Sequence, residues 1–329
     1  MAIKNVFFLS IPEKDQRNMK RFVSKELDNW LKAHNRKPMV LRGARQVGKT
    51  WLVRDLAKRQ KLKLIELNFE RLPSLADLFS ENNPVEILRN IEAEFATTIK
   101  PESSLLFLDE IQAAPELFSK LRWFKEDIQK LPVIAAGSLL DFALNKYQYS
   151  MPVGRITYFH LEQMSFFEFI KEIGNEALYE KLSSFSLEKI PPESLHKKCL
   201  DLYQDYCLVG GMPEVVQEWI NTKNLKSCIK IQQDLLATYR DDFHKYGGEI
   251  NAGLLAKIML SVSEQLGNKF IYSRVDPAKK NVQIKNALTR LSQAKVCTKV
   301  LHTAGNGLPL GAESNEKFFK VLMVDIGLI

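Results

Sequence analysis

The pattern of apolar and polar residues differs between the two halves of the chain. In the first half, short apolar runs separated by longer amphipathic stretches predict strands that alternate with helices. Four consecutive apolar residues, as at 105–108, are typical of a parallel strand buried on both faces. The predicted strands are 39–41, 61–69, 104–110, 131–136 and 154–161, and the predicted helices are 17–34, a stretch from about Lys49, 84–98 and 115–129. This alternation predicts an α/β fold with a parallel sheet.

The second half of the chain is mainly helical by the same criterion. Ser165 and Glu168 have the spacing of a capping box ahead of an apolar run, and the break at 209–214 predicts a turn with Pro213 at a helix start. The predicted helices are 165–173, 176–186, 193–209, 213–221 and 225–243. The polar cluster at 239–242, in the last of these helices, is interpreted as capping and packing alone.

Residues 251–303 have the pattern of a winged helix. Helices are predicted over 252–265 and 281–294, with strands over 296–302 and 318–324. The predicted domains are a flexible lead-in over 1–16, an α/β core over 17–163, a helical lid or linker over 164–248, the winged helix over 249–305, and the start of a truncated C-terminal domain over 306–329.

The composition narrows the class of protein. Among 329 residues, 45% are hydrophobic and 26% are charged, which is ordinary for a globular protein. No apolar run approaches the roughly 20 residues of a membrane-spanning helix, and the opening segment has no signal-peptide cleavage site. The four cysteines have spacings that suit neither a zinc site nor a short disulfide framework. We therefore predict a cytoplasmic protein with reduced thiols and no membrane association.

Charge is distributed unevenly along the chain. The net charge is +8, and it comes from two basic blocks: residues 1–50 carry +8 and residues 251–300 carry +7, whereas residues 51–250 carry −6. Basic clusters attract the phosphate backbone of nucleic acids, so residues 251–300 are a candidate DNA contact. The alternative, which is the commoner case, is that lysine-rich helices simply present a solvated face.

Residues 43–50 have the spacing G-x-x-x-x-G-K-T of a phosphate-binding loop, the Walker A motif. Its glycines allow the loop to turn N–H groups toward a polyphosphate, and the helix that follows points its positive end at the same anion. Lys49 is predicted to reach the β- and γ-phosphates of ATP, and the Thr50 hydroxyl to bind Mg²⁺. The predicted nucleotide-binding residues are Gly43, Ala44, Arg45, Gln46, Val47, Gly48, Lys49 and Thr50.

The apolar strand at 104–110 ends in two acids and has the form of a Walker B strand. Open α/β sheets bind their ligands at the carboxyl ends of the strands, which is where Asp109 and Glu110 stand. Asp109 is predicted to hold Mg²⁺, and Glu110 to polarise the attacking water as a general base or a positioning group. Either motif alone also occurs by chance or as a structural turn, but both together, in this order, predict a Mg²⁺-ATP site.

Two further residues are candidates for catalysis. Ser138 follows a buried strand and is predicted to sense the γ-phosphate or the water, although it also suits a helix N-cap ahead of Leu139. Arg155 stands at the start of the fifth predicted strand and is a candidate transition-state cation, acting on its own site or on a neighbouring subunit. The alternative for Arg155 is an ordinary surface arginine.

Seven stretches together resemble one family, the bacterial and archaeal AAA-type ATPases that carry a C-terminal domain of unknown function. These stretches are GARQVGKT (43–50), ELNFE (66–70), LLFLDEIQ (105–112), AAGSLL (135–140), VGRITYFHLEQMSFFEF (153–169), YCLVGGMPEVV (206–216) and FKVLMVDIGLI (319–329). The resemblance implies an AAA-like P-loop core, a helical lid and a winged helix. It also implies that Lys49, Thr50, Asp109, Glu110 and Arg155 match the family's motifs.

Family members usually continue for about another hundred residues, into a restriction-nuclease-like fold. This sequence stops at the family's aspartate-x-glycine-leucine step, which begins at Asp325 here, so we transfer no nuclease residue.

Three functional hypotheses are compatible with the sequence. The first is an ATPase that couples Mg²⁺-ATP hydrolysis to a conformational change at a winged helix that contacts DNA. The second is a nucleotide-dependent switch with little turnover that docks a protein partner through its winged helix. Self-association is a separate candidate interaction. The third is a DNA-binding module with a vestigial ATP site, which the intact glycines, lysine, threonine and paired acids disfavour.

Overall fold

The computed structural model describes residues 19–138, 152, 154–186, 191–243 and 251–329. These residues form two compact units. The first contains 19–42, 49–137, 152 and 154–160, and the second contains 43–48, 138, 161–186, 191–243 and 251–329. The second unit therefore includes six residues of the predicted phosphate loop together with the C-terminal half of the chain.

The first unit is built on a parallel sheet of five strands. They are β1 (Met39–Arg42), β2 (Lys63–Asn68), β3 (Ser104–Asp109), β4 (Val133–Ala136) and β5 (Thr157–His160), and their order in the sheet is β2-β3-β4-β1-β5. Each neighbouring pair is parallel. All six side chains of β3 and all four of β4 are buried, as expected for central strands covered on both faces. The predicted parallel α/β fold is confirmed, and the predicted strand ends differ from the observed ones by at most three residues.

The α-helices among the described residues of the first unit are α1 (Ser24–Lys32), α2 (Lys49–Arg59), α3 (Pro84–Phe95) and α4 (Leu117–Asp127). Helix α3 starts where its sequence indicates, because the Asn83 side chain accepts a hydrogen bond from the Val85 N–H and Pro84 occupies the first turn. It stops before the predicted Thr98, because Ala96 adopts the left-handed conformation that ends a helix.

Helix α1 is shorter than its pattern predicts. The prediction began at Arg17, but the helix begins at Ser24, and Leu27 is its buried residue. Phe22, which belonged to the predicted apolar stripe, lies before the helix and is 39% exposed. The helical spacing of apolar residues therefore includes residues that precede the first residue of the helix.

Between residues 166 and 241, the described residues of the second unit are mainly helical. Its helices are α5 (Phe166–Glu172), α6 (Glu176–Ser183), α7 (Glu193–Val209), α8 (Pro213–Thr222) and α9 (Leu225–Asp241), close to the predicted set. The capping box at the start of α5 is present in full, with Ser165 and Glu168 each bonding the other's backbone N–H. Pro213 occupies the first turn of α8, as predicted.

The chain then forms α10 (Ala252–Glu264), α11 (Asn281–Gln293) and an antiparallel hairpin of β6 (Cys297–Thr303) and β7 (Ser314–Met323). Helices α10 and α11 bury an aliphatic face that includes Ile258, Val262, Leu288 and Leu291. The hairpin crosses the boundary predicted between residues 305 and 306. Strand β7 begins four residues earlier than the predicted strand at 318–324.

The last residues of the chain pack against the turn between α7 and α8. The Asp325 carboxylate accepts hydrogen bonds from the N–H groups of Gly211, at 2.7 Å, and Gly327, at 3.0 Å. Asp325 and Leu328 are both buried. The stretches 206–216 and 319–329, which are far apart in sequence, are therefore in direct contact inside the second unit.

Across the part of the chain that the structure covers, no helix is long and apolar enough to cross a bilayer.

Candidate functional site

The carboxyl ends of three neighbouring strands meet at one edge of the sheet in the first unit. In the strand register Asn68 lies opposite Asp109, and Asp109 lies opposite Ala136. The Asp109 carboxylate accepts hydrogen bonds from the Thr50 hydroxyl, at 3.2 Å, and from the Asn68 amide nitrogen, at 3.2 Å. The first turn of α2 and the end of β3 thus place together Thr50 and Asp109, the two residues that the sequence assigned to Mg²⁺.

Burial makes the ionised form of Asp109 costly. The residue is 4% exposed, and this burial is the main cause that raises its pKa from 3.8 to about 6. The negative charges of Glu110 and Glu66 act in the same direction, whereas the hydrogen bonds from Thr50 and Asn68 act in the opposite one. A buried carboxylate with acidic neighbours is a group that a divalent cation would stabilise.

Asn68 belongs to this site, although its role was not recognised in the sequence. Its amide oxygen accepts from the Arg71 N–H at 2.8 Å, which leaves the amide nitrogen to donate to Asp109. The sequence signal was available: Asn68 ends a predicted strand next to the Walker B strand, where parallel strand ends share one edge.

Glu110 follows β3 directly in a left-handed conformation, with φ 51°. This conformation is uncommon for a residue with a side chain, and it costs on the order of 1 kcal/mol. Its carboxylate accepts a hydrogen bond from the Gln112 side chain. Glu110 is only half-buried, so its carboxylate differs from that of Asp109 in being open to water.

The loop 43–48 lies between β1 and α2 along the chain, and it packs within the second unit. A Cβ on Gly43 would lie 2.3 Å from the Leu161 carbonyl oxygen, so no other residue fits there without a shift of the backbone. Gly48 has φ +94°, which glycine adopts readily, and the nearest atom to a Cβ there would be Cγ of Pro213 at 3.8 Å. Lys49, the next residue, is 7% exposed.

Two residues at the end of α9 contact this loop, and the sequence interpretation missed both. The Tyr239 hydroxyl donates to the Arg45 carbonyl oxygen at 3.0 Å, and the Arg45 guanidinium pairs with the Asp242 carboxylate at 3.0 Å. Tyr239 and Asp242 are three residues apart, which places them on one side of a helix. That spacing was visible, but nothing in the sequence indicates which surface this side meets.

Ser138 lies two residues beyond the end of β4. It is 6% exposed, and within the residues that the structure covers its buried Oγ has no hydrogen-bond partner. A buried hydroxyl without a partner is costly, so this position suits a polar ligand atom. The helix predicted from Leu139 onward lies outside the described residues.

Arg155 lies at the amino ends of the parallel strands, whereas Asp109 lies at their carboxyl ends. Strand β5 is parallel to β1 and begins opposite Met39, so a residue that precedes β5 is at the amino end of the strands. The Arg155 guanidinium pairs with Glu126 at 2.8 Å, and its side chain is half exposed. The first unit therefore does not bring Arg155 together with the carboxylate of Asp109.

Two family models match different parts of the chain. The family model described as "AAA domain" matches residues 35–170. Residues 35–170 are an AAA domain. A second family model, "Domain of unknown function (DUF8612)", matches residues 200–329. The AAA domain contains all five strands of the sheet and both nucleotide motifs. No curated protein matches the chain in sequence.

Among solved structures, a Walker-type ATPase of Pyrococcus abyssi has a TM-score of 0.56 and 13% identity, with 94% of each chain covered. The ORC2 protein of Aeropyrum pernix has a TM-score of 0.43 and 13% identity, over 92% of this chain and 90% of that one. The RuvB branch migration motor of Thermotoga maritima has a TM-score of 0.36 and 16% identity, over 87% and 89%. The similarity to the Pyrococcus ATPase shows a shared fold. The AAA domain therefore has the fold of a P-loop ATPase.

Proposed function

We propose that this chain binds Mg²⁺-ATP and hydrolyses it. The observation that carries the proposal is the hydrogen bond between the Thr50 hydroxyl, in the first turn of α2, and the carboxylate of Asp109, at the end of β3. A hydroxyl at the start of the helix after a phosphate loop, beside a strand-end carboxylate, is the arrangement with which P-loop proteins hold Mg²⁺.

Each residue of the site has a distinct role in this proposal. The N–H groups of loop 43–48 and the Lys49 ammonium bind the phosphates, and Thr50 and Asp109 hold Mg²⁺. Glu110, which is open to water, orients the attacking water molecule. Ser138 offers its buried hydroxyl to the γ-phosphate or to that water. Mg²⁺, when bound, supplies positive charge to the phosphate oxygens.

The test is the substitution Lys49→Ala. We expect ATP affinity to fall by about a hundredfold and phosphate release to be lost, because a charged contact to the phosphates disappears. Isothermal titration calorimetry and a phosphate-release assay measure the two effects. Lys58→Ala, on the exposed side of the same helix, is the matched control and should behave as wild type. Normal hydrolysis by Lys49→Ala would contradict the proposal.

One observation favours a second candidate, a nucleotide-dependent switch with little turnover. Arg155 pairs with Glu126 at the far edge of the sheet, so it is not placed to stabilise charge beside Asp109 in its own chain. Hydrolysis would then be slow unless a second copy supplies the cation. A steady-state assay across a range of protein concentrations separates the two: turnover per chain that rises with concentration supports the ATPase, and turnover at background throughout supports the switch.

We further propose that residues 251–329 form a winged helix that contacts DNA. Helices α10 and α11 pack together, and the hairpin β6–β7 follows them in the position of a wing. The exposed side of α11 includes Gln283, Lys285, Asn286 and Thr289, and Lys280 directly precedes the helix. These are side chains that can bond to phosphates and base edges.

A further inference from the structure

We propose that Tyr239 and Asp242 are positioning residues, which hold the phosphate loop in its nucleotide-binding conformation through Arg45. The inference rests on the proposed ATP-binding function, and it assigns a role to a part of the chain outside both nucleotide motifs. It makes ATP affinity depend on the end of helix α9, almost two hundred residues after the loop along the chain.

The contacts are made by two well-buried side chains. Tyr239 is 2% exposed and Asp242 is 3% exposed. The Tyr239 hydroxyl reaches the Arg45 carbonyl oxygen at 3.0 Å, and the Asp242 carboxylate lies 3.0 Å from Nε of Arg45. One residue of the loop is therefore held at two points, by its backbone and by its side chain, and both contacts come from one helix end.

This arrangement is compatible with a bound nucleotide. A phosphate loop binds its anion through backbone N–H groups, because these are the donors that a phosphate oxygen accepts. The contacts from Tyr239 and Asp242 use the carbonyl oxygen and the guanidinium of Arg45 instead. They can therefore persist while N–H groups of the loop bind phosphate.

The loop has a conformation that benefits from such support. Gln46, directly after Arg45, has φ 62°, which lies in the left-handed region that side chains disfavour. A disfavoured backbone conformation persists only when its surroundings hold it in place. If the binding-competent loop is populated for only a fraction of the time, the apparent affinity for ATP falls by that fraction. Removal of a contact to Arg45 should therefore weaken binding.

The experiment measures Mg²⁺-ATPγS affinity by isothermal titration calorimetry for the full chain and for Tyr239→Phe and Asp242→Asn. Each substitution removes one contact with little change of volume. We expect each to weaken binding by about five- to tenfold, since a hydrogen bond or a buried ion pair of this kind is lost. Lys49→Ala, for which we expect a loss of about a hundredfold, serves as the reference for a large loss of affinity.

The chain offers a matched control for each variant. Tyr206→Phe also removes a hydroxyl that bonds to a backbone carbonyl, that of Met164 at 2.8 Å. Asp276→Asn also breaks an ion pair, the one with Lys257 at 2.7 Å. We expect both controls to bind ATPγS as wild type does, even where their melting temperatures fall. If Tyr239 and Asp242 had a purely structural role, Tyr239→Phe and Asp242→Asn would also keep wild-type affinity for ATPγS, even where their melting temperatures fall.

A double-mutant comparison tests whether Arg45 transmits the effect of Asp242. In an Arg45→Ala background, Asp242→Asn should weaken binding no further, because its partner is already absent. Additive losses would overturn the role of Arg45. Wild-type affinity in both Tyr239→Phe and Asp242→Asn would overturn the inference while leaving the proposed function intact. Absence of ATPγS binding by the unmodified chain would overturn the proposed function itself, and this inference with it.

Discussion

At the scale of single residues, burial of the charged Asp109 carboxylate lowers the stability of the folded protein at neutral pH. The carboxylate is buried beside Glu110 and Glu66, and its pKa of about 6 means that the folded protein holds a proton there more tightly than the unfolded chain does. Stability is therefore lowered by the charge of Asp109 above pH 6, and this cost disappears as the pH falls toward 4. A cation bound at the carboxylate would offset the same cost at neutral pH.

We predict opposite effects of Asp109→Asn on stability and on function. At pH 7.5 and without metal, the variant should be more stable by about 1–2 kcal/mol, because it removes the buried charge and keeps an oxygen that accepts from Thr50 or Asn68. Added Mg²⁺-ATP should raise the melting temperature of the wild type but leave that of the variant nearly unchanged.

Thermal melts at pH 7.5, with and without Mg²⁺-ATP, provide this test. Asp276→Asn is the contrasting control, because the hydrogen bond from Lys257 lowers the pKa of Asp276 and its charge is stabilising. A metal-free variant that is less stable than the wild type would contradict this explanation of Asp109.

At the scale of elements, the turn between α7 and α8 is the point where distant segments meet. Gly210 and Gly211 connect the helices, and the carboxylate of Asp325 and the carbonyl of Met164 approach them closely. A Cβ on Gly210 would lie 1.9 Å from Oδ1 of Asp325, and one on Gly211 would lie 2.0 Å from the Met164 oxygen. The two glycines are therefore required for packing, in addition to the left-handed φ of +76° at Gly210.

We predict that Gly210→Ala destabilises the protein by about 3 kcal/mol or more, because it combines backbone strain with a steric clash. The matched control is Gly267→Ala. Gly267 has almost the same φ, +75°, but open space around it, so this variant should lose only about 1 kcal/mol. Urea denaturation of the three proteins measures the difference. Equal losses of stability for both substitutions would show that the backbone angle, and not close packing against Asp325, makes Gly210 necessary.

At the scale of the whole molecule, net charge differs in sign between the middle of the chain and the segment that follows it. The acidic middle, 51–250, carries −6 and contains Asp109 and Glu110, whereas 251–300 carries +7. A net positive segment with two packed helices and a hairpin is suited to a polyanionic partner. We expect this difference in charge to affect the affinity for a partner more than the free energy of unfolding, because exposed lysines contribute little to stability.

We predict that binding of a labelled DNA duplex weakens steeply between 50 mM and 200 mM salt, because each phosphate contact releases counterions. The double variant Lys280→Ala/Lys285→Ala should reduce the slope of log affinity against log salt concentration by about two. The control Lys226→Ala/Lys230→Ala changes two exposed lysines of the acidic part and should leave the slope unchanged. Fluorescence anisotropy measures all three proteins, and an affinity that does not change with salt would exclude contact with the DNA backbone.

Much of the AAA domain could be predicted from short-range sequence patterns. Apolar runs identified the strands because a central parallel strand must bury both faces, as β3 does. Walker A and Walker B spacing predicted that Thr50 and Asp109 act together, because strand ends and the helices that follow them share one edge of a parallel sheet. Helix ends were predictable where capping is local, as at Pro84 and Ser165.

Other features depend on contacts between residues that are remote in the sequence, and no local pattern specifies such pairs. Only the tertiary structure shows that Tyr239 and Asp242 meet Arg45, that Asp325 bonds to the turn at Gly211, and that Arg155 stands at the amino end of the sheet. The sequence by itself determined the local conformations and the chemistry that each segment can offer. The tertiary structure decided which of those groups face one another, because packing and not spacing brings distant segments together.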